Sequence, residues 1–261
     1  VIAIVSLIAF LLFVRKSMKA APASLERIAK TRPELAILDR RNMVRSLIVF
    51  ALVLLGFFLS RLIDVEPGVV ALCGGFVMAL VCKVSVHRSL ERVEWATIMF
   101  FVGLFVIIGG LEINNVFVTL GQQIVMLTQG NLMMTVLVVL WSSAILSAIV
   151  DNIPLVIAMI PLIKSIIPVF AKQMHLEGAD ELIKLQIEEP LLWALALGAC
   201  LGGNGTLIGA SANVVISQIA KRNKYHISFW SFTKYGLPMM LLSLVISSVY
   251  LYFRYLSHLA K

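Results

Sequence analysis

The chain alternates between long apolar runs and short polar segments. Apolar runs of about 20 residues are long enough to cross the hydrocarbon core of a bilayer as helices. The pattern therefore predicts an all-α, polytopic membrane protein. The expected spans are residues 46–62, 69–82, 95–110 and 233–255, and two longer segments at 131–170 and 191–220 are interrupted by polar residues.

Residues 1–45 are expected to form a separate region ahead of a transporter repeat at 46–261. The apolar run at 1–14 is too short to span comfortably and does not begin with Met, so we interpret it as the end of a truncated transmembrane helix. Residues 15–45 carry nine Lys and Arg against three acidic residues. We interpret them as a basic linker, with binding of lipid head groups as the alternative.

The first interrupted segment has a polar centre at residues 147–154, which contains Asp151 and Asn152. Two geometries fit: one broken crossing, or a re-entrant hairpin that enters and leaves on the same face. The central position of the polar tip favours the hairpin. A charge at membrane depth costs about 2.5–3.5 kcal/mol, so Asp151 is expected to bind a cation, carry a proton or hydrogen-bond a partner. Alternatively, Asp151 only caps the second half of the hairpin.

The second interrupted segment contains the run Gly-Gly-Asn-Gly-Thr at residues 202–206. Glycine frees the backbone to unwind, which exposes carbonyl groups suited to Na⁺ and amide groups suited to an anion. A pair of broken helices is typical of the binding site of a secondary transporter. The alternative, that glycines serve only close packing, explains Gly198 and Gly209 better than it explains the Asn-Gly-Thr insertion.

The two polar centres define the predicted ion and substrate site. Na⁺ is assigned within it to Asp151, Asn152, Asn204 and Thr206. The full set of predicted site residues is Asp151, Asn152, Gly202, Gly203, Asn204, Gly205, Thr206, Ser211 and Asn213.

Composition and charge support membrane insertion and indicate an orientation. Hydrophobic residues make up 60% of the chain and charged residues 14%, whereas soluble domains are about 45–50% apolar and about 25% charged. The net charge of +8 comes from loops between apolar runs, so it indicates membrane orientation and not nucleic-acid binding. We expect the cell (inner) membrane, with loops 15–45, 83–94 and 221–232 on the cytoplasmic side.

Motifs for enzymatic chemistry are absent from the sequence. The chain contains no phosphate-binding Walker loop, no His-Glu-x-x-His pair and no serine nucleophile elbow. Its three cysteines, Cys73, Cys82 and Cys200, have no metal-site spacing. We therefore expect a protein that is not an enzyme and has no cofactor apart from Na⁺ or H⁺ as a coupling ion.

The same polar segments carry a family resemblance. Residues 147–154, with Met159-Ile-Pro161 after them, resemble the second-repeat hairpin of the P protein (pink-eyed dilution) family. Ala196–Asn213 is similar to the glycine-rich signature of that family, and Phe229 and Gly236-Leu-Pro-Met-Met240 continue the likeness. The family belongs to the ion transporter superfamily, with arsenite permeases, Na⁺/H⁺ antiporters and sodium-coupled dicarboxylate carriers as relatives.

The resemblance implies an inverted-repeat fold in which two hairpins and two broken helices meet at the substrate. It implies that this chain is the C-terminal repeat and that its partner is the missing N-terminal repeat of the same protein. Asp151 and Asn152 would be tip ligands, and residues 203–206 would line the broken helix. The tip differs from the Ser-Asn-Thr tip of the dicarboxylate carriers, which weakens the transfer of their specificity to this chain.

We therefore expect an ion-coupled secondary transporter that moves an inorganic ion across the bilayer by alternating access. Na⁺/H⁺ exchange and anion transport are the two leading forms of this hypothesis. The alternatives are a passive anion channel on the same frame, an arsenite or dicarboxylate carrier, and a transport-inactive fragment. A homodimer is compatible with each of these readings.

Overall fold

The computed structural model describes residues 2–14, 39–60, 62–91, 93–223 and 225–257. Within these ranges the chain is helical and contains no strands, as an all-α membrane protein requires. Most of the predicted basic linker, residues 15–38, lies outside the described residues. The α-helices are α1 (Ile2–Val14), α2 (Arg40–Leu59), α3 (Pro67–Val81), α4 (Val86–Glu91), α5 (Trp95–Ile113), α6 (Val116–Leu127), α7 (Leu132–Ser147), α8 (Asn152–Gln173), α9 (Asp180–Ile183), α10 (Glu189–Gly202), α11 (Ser211–Arg222) and α12 (Phe229–Leu251).

The described residues form two compact units. One contains α1 and the chain from Phe100 onward; the other contains α2, α3, α4 and the first turn of α5. Four described helices, α2, α5, α8 and α12 with its extension, are long and apolar enough to cross a membrane. The predicted boundary at residue 45 stays a prediction.

The smaller unit is organised by the pairing of α2 with α3. Asp39 begins α2 by accepting hydrogen bonds from the backbone N–H groups of Arg41 and Asn42 at 3.0 and 3.1 Å. The helix therefore starts six residues before the predicted span. Gly56 and Gly74 allow close packing, because an added Cβ would lie 2.7 and 2.2 Å from valine methyl groups of the facing helix.

Helices α7 and α8 form a hairpin. The side-chain amide of Gln173, at the end of α8, donates to the carbonyl of Gly130, just before α7, at 3.0 Å. The two feet therefore lie together, and the short turn at residues 148–151 forms the opposite tip. The segment therefore folds back on itself, and its re-entry from one face of a membrane stays a prediction. Before α7 the chain bends by 117° from α6, where Gln129 and Gly130 adopt left-handed φ angles of 53° and 68°.

The core of the larger unit lies where α7, α10 and α12 meet. Leu140, Leu195 and Leu244 are fully or almost fully buried there. The indole N–H of Trp141 also donates to Ser248 Oγ at 3.2 Å, which ties α7 to α12. This core holds the end of α7, and hence the hairpin tip, against α10.

The second break separates α10 from α11. Gly202 is the last helical residue, and the chain stays non-helical from Gly203 to Ala210. The break is therefore longer than the predicted interval 202–206, and Gly202 itself is helical. A π-helical turn, Lys184–Glu188, precedes α10, and another, Tyr252–Leu256, follows α12.

Candidate functional site

The hairpin tip and the broken helix contact each other through side-chain hydrogen bonds. Ser211 Oγ, at the start of α11, donates to the Asp151 carboxylate. Thr206 Oγ1 donates to the carbonyl of Ala148, and Ser147 Oγ donates to the carbonyl of Ala199 at 2.5 Å. These three bonds join residues more than fifty positions apart, and they connect the hairpin tip to the broken helix.

Asp151 does not cap its own helix. It occupies the N-cap position of α8, but its side chain makes no hydrogen bond to the first-turn N–H groups. Its carboxylate accepts from Ser211 instead, and the side chain is partly exposed. The capping alternative is therefore wrong, because the carboxylate is turned toward the other break.

Asn152 presents an unused acceptor beside the turn. Its Oδ1 atom is buried and has no hydrogen-bond partner among the described residues. A Cβ added to Gly203 would lie 2.9 Å from this atom, so glycine leaves the space next to it open. A buried acceptor without a partner costs about 1–3 kcal/mol. The position suits a ligand that donates a hydrogen bond or carries positive charge.

Asn213 holds the turn between α10 and α11. Its side-chain amide donates to the carbonyls of Gly203 at 2.9 Å and Thr206 at 3.1 Å. The N–H of Gly209 donates to Thr206 Oγ1 at 3.1 Å. Asn213 and Thr206 therefore fix the shape of the turn with their polar atoms.

Replacing Thr206 by Val is expected to lower the free energy of unfolding by about 1–3 kcal/mol, because the Ala148 carbonyl and the Gly209 N–H lose their partner. Thermal unfolding in detergent measures the loss. Thr119→Val is the matched control, since the exposed Thr119 hydroxyl bonds, among the described residues, only to the Asn115 carbonyl one turn back. Equal unfolding temperatures for the two variants contradict the role given to Thr206.

Two of the predicted site glycines pack against neighbouring helices. An added Cβ on Gly202 would lie 2.3 Å from the carbonyl oxygen of Ala144 on α7. A Cβ on Gly205 would lie 2.4 Å from the sulfur of Met240 on α12. The structure thus gives Gly202 and Gly205 a close-packing role.

Asn204 lines a cavity that the other predicted Na⁺ ligands do not line. It is exposed and lines a cavity of about 600 Å³ with residues of α1 and α12, including Phe10 and Tyr235. Neither Asp151, Asn152 nor Thr206 lines this cavity. The described ranges also hold no cluster of three or more His, Cys, Asp or Glu side chains suited to a metal.

Helix α12 packs against the turn between α10 and α11 through Gly236 and Met240. No role was assigned to these two residues from the sequence. Gly236 faces the Asn204 carbonyl, where an added Cβ would approach to 2.3 Å, and Met240 faces Gly205. The two residues are one helical turn apart, so they lie on the same face of α12. The four-residue spacing of Gly236 and Met240 in the sequence is the feature from which their packing against the turn could have been predicted.

An all-α bundle with two helix breaks in contact is typical of membrane transport proteins. The family model described as CitMHS, citrate transporter, matches residues 1–184 of the 261 in the chain. The chain belongs to this family of transporters.

Known relatives agree with that class. The chain is 38% identical over 220 residues to an uncharacterized transporter of Mycobacterium tuberculosis, which covers 84% of this chain and 48% of the relative. It is 35% identical over 221 residues to a 46 kDa membrane protein of Mycobacterium leprae, covering 85% and 49%. It is 37% identical over 224 residues to the P protein of Sus scrofa, covering 82% and 25%.

The predicted resemblance to the P protein family is therefore confirmed. The chain spans about half the length of the mycobacterial relatives that it matches. No solved structure matches the chain.

Proposed function

We propose that the chain supplies half of the binding site of an ion-coupled secondary transporter that works by alternating access. The observation that carries this proposal is the contact between Asp151 and Ser211, which joins the two helix breaks in a chain of a transporter family. The other half of the site would come from the rest of a longer protein, since the relatives are about twice as long. The ion is transported without chemical conversion.

The position of Lys164 on α8 supports a hairpin tip that lies near the bilayer midplane. This exposed residue makes no ion pair with a described acid and lies twelve residues after Asn152 on α8. Twelve residues rise about 18 Å along a helix. The hydrocarbon half-thickness is about 15 Å, so a Lys164 side chain at the membrane surface fits a hairpin tip near the midplane. A re-entrant hairpin accounts for both positions.

The chemistry of the tip favours an inorganic ion. The Asp151 carboxylate, the Ser211 hydroxyl and the free Asn152 Oδ1 are hard oxygen atoms, which suit Na⁺ or a proton as coupling ion. Helices α8 and α11 begin at the tip and the turn, and their first N–H groups suit an anion. Na⁺/H⁺ exchange and cation-coupled anion transport both use these groups.

Citrate transport is a second candidate, favoured by the description of the matching family. A carboxylate substrate would use the N-termini of α8 and α11, with Na⁺ or H⁺ compensating its charge. The inorganic-ion and citrate proposals share the coupling ion and differ in the substrate.

Flux measurements on the full-length protein in proteoliposomes test the proposal. We expect uptake of one substrate among Na⁺, Cl⁻, arsenite and citrate, driven uphill by a Na⁺ or H⁺ gradient and abolished when that gradient is collapsed. Flux that persists unchanged without any coupling gradient indicates a passive channel. Absence of flux for every ion, from protein that remains folded, indicates a transport-inactive protein.

A further inference from the structure

We propose that a cavity between the start of α10 and the π-helical turn after α12 binds the zwitterionic head group of a phospholipid. The cavity has a volume of about 510 Å³ and is lined by Glu189, Leu192, Trp193, Ala196 and Tyr255. None of these residues belongs to the hairpin tip or to the turn at 203–210. The proposal is therefore independent of the proposed transport site.

Opposite charges without ion-pair partners flank Tyr255. Glu189 is half-buried and forms no ion pair or hydrogen bond with the part of the chain that the structure describes. The guanidinium of the exposed Arg254 lies 5.5 Å from the centre of the Tyr255 ring and pairs with no described acid. An ammonium group would be attracted to Glu189 and a phosphate group to Arg254. A phospholipid head group that carries both charges matches this arrangement.

Aromatic side chains place the cavity at the level of lipid head groups. Trp193 on the cavity wall is 45% exposed, and an indole ring can attract an ammonium group by a cation–π interaction. Tyr250, Tyr252 and Phe253 are also exposed at this end of α12. Exposed aromatic residues at a helix end are typical of the membrane–water interface. A lipid head group is therefore the occupant that this position favours.

A π-helical turn adjoins one wall of the cavity, and another forms part of the opposite wall. The π-helical turn Lys184–Glu188 directly precedes Glu189, and the π-helical turn Tyr252–Leu256 contains Arg254 and Tyr255. Such turns are rare and occur frequently at functional sites, because they change the direction of the side chains that follow. Here the two turns set the positions of Glu189 and Tyr255, which line the cavity, and of Arg254, which neighbours the Tyr255 ring.

Native mass spectrometry of the full-length protein tests the proposal with three lipids of identical acyl chains. These are phosphatidylethanolamine, phosphatidylcholine and phosphatidylglycerol, and the last has phosphate without an ammonium group. We expect at least one zwitterionic lipid to be retained about tenfold more than phosphatidylglycerol. Glu189→Gln should remove this preference, and Arg254→Gln should lower retention of all three lipids.

Matched variants keep the test independent of folding. Glu181→Gln removes an exposed acid of α9 that does not line the cavity, so its lipid preference should equal that of the wild type. Trp193→Leu replaces an exposed ring and should lower the retention of the zwitterionic lipids only. Equal retention of the three lipids, or an unchanged preference in Glu189→Gln, overturns the proposal. Retention of soluble phosphoethanolamine in place of lipid also overturns it.

Discussion

Replacing Asp151 by Asn is expected to reduce coupled transport by about 10- to 100-fold, because the tip loses the charge that would hold the coupling ion. Asn keeps an oxygen that can accept the hydrogen bond from Ser211, so the contact between the two breaks persists. The variant should therefore fold normally. Flux in proteoliposomes, driven by the coupling gradient identified for the wild type, measures the loss.

Asp180→Asn is the control for this variant, since Asp180 is an exposed acid at the start of α9, away from both breaks. Its flux should match that of the wild type. Unfolding temperatures of the two variants in detergent should be similar. Full coupled flux in Asp151→Asn would reject the proposed ion site, whereas equal losses in both variants would point to a general effect of net charge.

The largest expected effect on stability comes from Gly202→Ala. The added methyl group would lie 2.3 Å from the carbonyl oxygen and 2.6 Å from the Cα of Ala144, and backbone atoms cannot move aside as a side chain can. Overpacking of this kind costs about 1–3 kcal/mol or more. We therefore expect a clearly lower unfolding temperature in detergent, with α7 and α10 pushed apart.

Gly109→Ala provides the comparison, because nothing lies within 4 Å of a Cβ added there. Alanine is favoured over glycine in a helix by about 1 kcal/mol, so this variant should be as stable as the wild type or more stable. If Gly202→Ala unfolds at the same temperature as Gly109→Ala, helices α7 and α10 do not approach as closely as described.

Hydropathy predicted the helices well because membrane insertion depends on the length of apolar runs. The polar centres at Asp151 and near Asn204 also marked both helix breaks, since polar residues within such runs are costly. Hydropathy missed the full extent of the second break. Leu207 and Ile208 are apolar and read as helix, whereas their backbone belongs to the turn that Asn213 holds through its hydrogen bonds.

Pairings between distant residues could not be predicted from the sequence. The bond from Ser211 to Asp151 joins residues sixty positions apart, and a short-range alternative, helix capping, satisfied the same local pattern. Gly202 also belonged to a run that suggested a ligand-binding loop. Its packing role depends on the position of Ala144, which only the folded structure supplies.

The bonds that join the hairpin tip to the broken helix limit the motions open to the proposed transporter. Separating the tip from the broken helix would break the hydrogen bonds of Ser147, Thr206 and Ser211, at about 0.5–1.5 kcal/mol each. It would also separate α7 from α10 where Gly202 allows them to pack closely. The geometry therefore favours a rigid-body movement in which the hairpin and the broken helix move together with the bound ion. It disfavours a movement that separates Asp151 from Ser211. The conformational change needed for transport would then occur in the segments that connect this rigid body to the rest of the protein.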